Sequence, residues 1–120
     1  MLERVQDAPA HSLALHASGT VTARDVEAAI EAVLGRSEAA TGLVIVIDPE
    51  FDGFAELARG LANAALAHKW LVKLAVVTDT ERIDEARLSG FDASPVPVRL
   101  FAEADAKSAL NWAAAARRGE

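Results

Sequence analysis

The stretch "LVIVIDPEFDGFAELARGLANAAL", residues 43–66, decides the fold. Its first five residues are all apolar, so the side chains that would point to either face of a strand are apolar. This is expected of a central strand that is covered on both faces of a sheet. The chain then turns through three carboxylates, a proline and a glycine. From Phe54 onward, the apolar residues recur at helical spacing. A strand, an acidic corner and a helix in this order indicate an α/β protein.

The flanking sequence continues the alternation of strands and helices. The predicted strands are 2–5, 12–18, 43–48, 71–79 and 96–101, and the predicted helices are 22–35, 54–66, 80–89 and 103–117. Thr22 with Asp25, and Thr78 with Glu81, are spaced like residues that cap helix N-termini. Connections through single helices imply parallel strands. We predict one domain over 1–120, with five mostly parallel strands, an antiparallel N-terminal edge strand and about four helices.

The composition excludes several classes of function. The chain has no cysteine, which excludes disulfides and thiolate chemistry, and its net charge of −6 disfavours binding to nucleic acid. The N-terminus does not look like a signal peptide, and no stretch is long and apolar enough to span a bilayer. We therefore expect a cytoplasmic protein without a cofactor.

The acidic corner imitates the start of a calcium-binding loop. Asp48, Glu50 and Asp52 occupy loop positions 1, 3 and 5, and Gly53 occupies position 6. Position 12 should be a bidentate glutamate, but it is Arg59. A strand also precedes the corner where a calcium loop requires a helix. We expect no calcium site.

The same corner resembles that of response-regulator receiver domains, in which an aspartate after the third strand is phosphorylated. That resemblance would make Asp48 the phosphoryl acceptor, supported by a magnesium ion and a lysine. The acidic pair that the family carries after its first strand has no match in "SGT", residues 18–20. The lysine after the last strand is replaced by "LFAEAD", and Lys107 comes too late. Phosphoryl transfer is therefore not expected.

The whole chain resembles another family more closely. The segments "ASGTVTARDVEAAIEAVL", "LVIVIDPEFDGF", "LAVVTDTERI" and "RLFAEADAKSALNW" are similar in order and spacing to the SpoIIAA-like family, relatives of the STAS anti-sigma-factor antagonist domains. The resemblance implies a β-α sandwich, grouped with the lipid-binding CRAL-TRIO (Sec14-type) domains. In the antagonists, a Ser or Thr at the start of the helix after the third strand is phosphorylated. Residues 48–70 contain no Ser, Thr or Tyr.

This resemblance implies an interaction or regulatory domain without enzymatic activity, whose partner is a regulatory protein. The alternative that it implies is binding of a small lipid or apolar ligand, or a role at a membrane surface. Asp52 has two interpretations: it imitates a permanent phosphate, or it is an acidic residue favoured by the dipole of the following helix.

The remaining candidate residues form two groups. Asp48 and Asp79 each follow a predicted parallel strand, where they could share a metal or a proton, or simply cap backbone amides. His16, Lys73 and Arg99 fall at the parity opposite to the apolar residues of their strands. Their sheet face is therefore either covered by helices, with the long side chains reaching past them, or partly open to a partner.

We predict a symmetric homodimer that buries part of the sheet face or edge carrying His16, Lys73 and Arg99, or the helix surface beside it, because two-fold association is the commonest way for soluble chains to cover an exposed edge or face. Pro97 argues against continuous strand pairing at the last strand.

Overall fold

The strands follow one another across a single sheet in the order in which they occur along the chain. A computed structural model of the protein describes residues 2–5, 12–34, 39–91 and 94–115. Its strands are β1 (Leu2–Val5), β2 (Ser12–Ala17), β3 (Thr41–Ile47), β4 (Leu71–Thr78) and β5 (Val98–Ala102). β1 pairs antiparallel with β2, and the other neighbours pair in parallel. This confirms the predicted α/β fold with an antiparallel N-terminal edge strand.

In the described parts of the chain, four α-helices connect or follow the parallel strands. They are α1 (Ala23–Leu34), α2 (Phe54–Ala67), α3 (Ile83–Arg87) and α4 (Ala106–Ala114). Short 3-10 turns at Thr80–Arg82 and Glu103–Asp105 lead into α3 and α4. The end of the last predicted helix, residues 116 and 117, lies outside the described residues, as does the predicted turn around Pro9.

The two predicted helix caps have different outcomes. At α1, the Asp25 N–H donates to Thr22 Oγ1 (3.1 Å) and the Thr22 N–H donates to Asp25 Oδ2 (3.0 Å), so this cap is confirmed. The predicted capping box of Thr78 with Glu81 is wrong. Thr78 is the last residue of β4, and its buried hydroxyl has no hydrogen-bond partner among the described residues. The following 3-10 turn begins at Thr80, so its N-cap is Asp79 and not Thr78.

The helices divide unequally between the two faces of the sheet. Because the strands are added in one direction and such crossovers are right-handed, α1, α2 and α3 lie together on one face. They cover the larger core, which includes Ile30, Leu57, Leu61, Ile45 and Leu74. Of the described helices, only α4 packs on the opposite face, through Ala109 and Ala113. We call this second face the α4 face.

Two glycines allow the helices to approach closely. A Cβ atom at Gly60 of α2 would lie 2.5 Å from Val26 Cβ and 2.8 Å from Ala23 O of α1. On the α4 face, a Cβ atom at Gly42 of β3 would lie 2.2 Å from Ala113 O. Both distances are far below van der Waals contact, so the packing of α1 on α2 and of α4 on the sheet depends on glycine at these positions.

Candidate functional site

The carboxyl ends of the parallel strands gather the acidic candidates at one edge of the sheet. Asp48 and Asp52 follow β3, Asp79 follows β4, and Glu103 follows β5. Ligands of open α/β sheets bind at this kind of edge. We call it the carboxyl edge.

Backbone hydrogen bonds hold the Asp48–Gly53 corner against the segment after β2. The Asp48 N–H donates to Ala17 O (2.9 Å), and the Asp52 N–H donates to Gly19 O (2.8 Å). Thr20 and Asp52 form an isolated parallel bridge. Gly53 has a φ of 139°, a value that L side chains rarely adopt, and α2 begins at the next residue. The corner is therefore a fixed continuation of the sheet.

The Asp48 side chain supports this corner from within. Its Oδ1 atom accepts a hydrogen bond from the Glu50 N–H (3.0 Å), which is the backbone-capping role considered for Asp48. Its Oδ2 atom lies 3.8 Å from His16 Nε2, and both side chains are about one third exposed. The structure thus brings His16 and Asp48 together at the end of β2 and β3.

Asp52 is exposed beside the N-terminus of α2. The N-cap of this helix is Gly53, and no side chain caps it by a hydrogen bond. Asp52 consequently acts on the helix only through its charge, which the positive end of the dipole favours. This geometry is compatible with both interpretations of Asp52, as a phosphate mimic or as a residue that suits the dipole.

Arg82 joins the corner to the turn after β4, a role that sequence analysis missed. Its Nη1 atom donates to Pro49 O (3.2 Å), and its guanidinium lies 4.7 Å from the centre of the Phe54 ring. Its Nε atom also donates to Glu85 Oε2 (3.1 Å). The spacing of Arg82 and Glu85 in a helical segment was a visible signal for this ion pair, but nothing in the sequence indicated the contact with Pro49.

Asp79 pairs with Glu103. A side-chain hydrogen bond between the two, together with the negative charge of Asp79, raises the pKa of the Glu103 carboxyl. The sequence predicted that Asp48 and Asp79 could share a metal or a proton, but the acid in contact with Asp79 is Glu103, at the end of the adjacent strand. Within the described ranges, no three His, Asp or Glu side chains are grouped so that they could hold a metal ion.

Glu56 is a second residue that sequence analysis missed. Its Oε2 atom accepts a hydrogen bond from the Ala23 N–H (2.9 Å), so a residue of α2 satisfies an amide at the start of α1. The hydrogen bond from Arg59, and then that from Ala23, lower the pKa of the Glu56 carboxyl. Arg59, which excluded the calcium loop, is thus paired within its own helix.

The three cationic candidates share the α4 face, but α4 separates them. Lys73 is buried under α4, where its Nζ atom lies 3.4 Å from Trp112 O and 4.9 Å from the centre of the Trp112 ring. His16 on β2 and Arg99 on β5 lie toward opposite sides of the helix, which packs mainly on β3 and β4. The structure therefore places no common patch of His16, Lys73 and Arg99 on this face.

The described helices are all too short or too polar to cross a bilayer. In a comparison with known protein families, a model of a family described as SpoIIAA-like matches residues 12–114. No curated protein matched the chain, and no solved structure matched it. The family match includes every strand of the parallel part of the sheet and the whole carboxyl edge.

Proposed function

The chain belongs to the SpoIIAA-like family, and on that premise we propose that it is a non-enzymatic interaction domain of the STAS type. Its activity is to contact other proteins in the cytoplasm, one of them a second copy of itself. We further propose that residues 1–120 act as one such domain.

The observation that supports self-association is the part of the α4 face that the described helices leave uncovered. Glu3 and Val5 of β1 lie in register with His16 and Ala14 of β2, so they project from this face. Val5 is 38% exposed, and Val46 of β3 is half-buried on the same face. β1 is also an edge strand, and no strand of the described residues pairs with its outer side. We call Glu3, Val5, His16 and Val46 the β1 strip, and we propose that two copies pack here around a two-fold axis.

A regulatory protein would bind the carboxyl edge, on the Glu50 and Asp52 side of the corner. The support for this step is the rigid Asp48–Gly53 corner, whose backbone is held by Ala17 O, Gly19 O and Arg82. A fixed backbone lowers the entropic cost of binding. Because residues 48–70 have no phosphorylatable hydroxyl, the charge of the corner is constant, and Asp52 and Glu50 favour a basic partner.

Light scattering at micromolar concentration tests the dimer. The unmodified protein should scatter as a dimer, and Val5→Asp should shift it toward the monomer because the change buries an unpaired carboxylate at the interface. Leu66→Asp is the matched control, since Leu66 is an exposed leucine (76%) on α2, on the other side of the sheet. A monomeric mass for the unmodified protein at all concentrations would contradict self-association. Equal effects of the two substitutions would contradict the β1 strip.

The alternative function is binding of a small lipid or apolar ligand, or a role at a membrane surface. The observation in its favour is a cleft of about 640 Å³ beside β5, which includes the apolar side chains of Phe91, Val96 and Leu100. Against it, the side chains between the sheet and α1, α2 and α3 are closely packed around Leu57, Leu61 and Ile45. A ligand carrier of this size would have to give up part of that core.

A further inference from the structure

The outer edge of β5 has hydrogen-bonding groups that no described strand pairs with. The Leu74 N–H of β4 donates to Pro97 O (2.9 Å), and Leu74 is in register with Val98. In a parallel ladder, the backbone groups of successive residues point alternately toward and away from the neighbouring strand. Val98 and Leu100 therefore direct their N–H and C=O groups away from β4. Within the part of the chain that the structure describes, no backbone hydrogen bond is made to them from that side.

Pro97 does not interrupt this edge. Its carbonyl points toward β4, so in an extended chain its nitrogen, which lacks a hydrogen, lies on the β4 side as well. Sequence analysis expected Pro97 to oppose strand pairing here. The register places its missing donor inside the sheet and leaves the outer edge over residues 98–102 continuous.

A cleft of about 640 Å³ follows the same edge. Val98 and Leu100 pack against the core on the helix-covered side, and Phe91 is buried beside them. In a strand added next to β5, the side chains beside Val98 and Leu100 would point to this side of the sheet. Apolar side chains at those positions would enter the cleft.

Arg99 lies between these two residues and points to the opposite side, the α4 face. It is exposed, and its guanidinium lies 5.3 Å from the centre of the Phe101 ring. No carboxylate among the described residues is within ion-pair distance of Arg99. Arg87, an arginine beside the cleft, is already paired with Asp84 (3.0 Å). The added strand would therefore place a carboxylate beside Arg99.

We propose that the β5 edge binds an extended segment of another protein in which apolar residues flank an acidic one. The segment adds a sixth strand to the sheet: its backbone bonds Val98 and Leu100, its apolar side chains enter the cleft, and its carboxylate pairs with Arg99. A second copy of β5 is disfavoured as the occupant, because two-fold pairing of two β5 edges would bring like charges of Arg99 together. This site is separate from the β1 strip and from the carboxyl edge, so it goes beyond the proposed function.

Fluorescence anisotropy with a labelled peptide tests this site. The probe is a nine-residue peptide with the central sequence Val-Glu-Val, and its partner probe carries Val-Lys-Val. We expect the glutamate peptide to bind saturably with a Kd below about 100 μM. The Kd of the lysine peptide should be at least tenfold higher. Arg99→Glu should reverse this preference. Arg24→Glu is the matched control, because Arg24 is an exposed arginine on α1 outside the cleft, and it should leave the preference unchanged.

A second probe separates strand addition from simple charge attraction. A glutamate peptide with N-methyl groups on the amides that would face β5 keeps its charge but cannot donate to the edge, and it should bind at least tenfold more weakly. Absence of saturable binding of the glutamate peptide would overturn the proposal. Equal binding of the methylated peptide, or an unchanged preference in Arg99→Glu, would also overturn it. Light scattering on the same samples measures dimerisation independently. A failure of peptide binding at the β5 edge can therefore be distinguished from a failure of dimerisation through the β1 strip.

Discussion

The carboxyl groups of Asp79 and Glu103 meet at the ends of β4 and β5, and their pairing has a consequence for stability. The hydrogen bond and the charge of Asp79 raise the pKa of Glu103 in the folded protein. A carboxyl group whose folded pKa is raised stabilises the fold at low pH, and this contribution is lost as the pH rises through the raised pKa. Above that range, the two ionised groups repel each other.

Glu103→Gln should therefore stabilise the protein at neutral pH relative to the unmodified chain. The difference in the free energy of unfolding should grow in favour of the variant as the pH rises through the carboxyl range. Urea melts at a series of pH values measure this difference. Glu81→Gln, which removes one exposed charge nearby, is the control. A difference that shrinks with rising pH, or one that Glu81→Gln reproduces, would contradict the pairing.

Gly60 is a second single residue on which the structure depends. Gly60→Ala should improve helix propensity by about 1 kcal/mol, but the new methyl group would overlap Val26 Cβ and Ala23 O. Overpacking of this kind typically costs about 1–3 kcal/mol or more, so we expect net destabilisation in denaturant melts. Leu66→Ala, an exposed change in the same helix, should stay within about 0.5 kcal/mol. A Gly60→Ala protein as stable as the unmodified one would contradict the close approach of α1 and α2.

At the scale of single residues, the sequence predicted contacts between residues close in the chain and missed contacts between distant ones. The cap formed by Thr22 and Asp25 depends on two residues three positions apart, so its spacing was sufficient to predict it. The contacts of Glu56 with Ala23 and of Arg82 with Pro49 join residues 33 positions apart. Such contacts depend on how the helices pack on the sheet, which the spacing of residues along one element does not determine.

At the scale of elements, α4 is the one described helix that covers its sheet face, and Lys73 attaches the end of this helix to the sheet. The Lys73 ammonium contacts a carbonyl in the last turn of α4, where the helix dipole favours a cation, and the ring of Trp112. Its aliphatic stem is buried in β4, so Lys73→Met preserves the apolar volume while removing the charge.

We expect Lys73→Met to speed amide hydrogen exchange in residues 106–114 by roughly tenfold, which corresponds to about 1.4 kcal/mol of lost local stability. Arg99→Met is the control, because it removes an exposed cation of the same face without touching α4's last carbonyls. Unchanged exchange in α4, or faster exchange spread evenly over the whole sheet, would contradict this role of Lys73.

The elements also explain why His16, Lys73 and Arg99 lie on one sheet face without forming one patch. Strand parity was sufficient to place His16, Lys73 and Arg99 on one side of the sheet. The sequence could not show that α4 would lie over Lys73 and separate the other two. That position follows from Gly42, which admits the Ala113 backbone of α4 against β3. A glycine within a strand indicates a close approach, but it does not identify the approaching element.

At the scale of the whole molecule, the alternation of strands and helices was sufficient to predict the fold, because each element carries its own periodicity. The candidate site was less predictable. The carboxyl edge was expected from topology, and its aspartates lie there, yet the pairing of Asp79 with Glu103 could not be deduced from the pattern of one strand end. Family membership adds a class of function, the interaction domain, which no single residue of the site indicates by itself.

The central claim is that this domain works through protein contacts and carries no ligand. Native mass spectrometry of freshly purified protein tests it most directly, because the method reports both the number of chains and any bound molecule. We predict the mass of two chains with nothing added, since the core between the sheet and its helices is filled by residues such as Leu57, Leu61 and Ile45. A lipid present in stoichiometric amount, released only when the protein unfolds, would contradict the claim and support the alternative of a carrier.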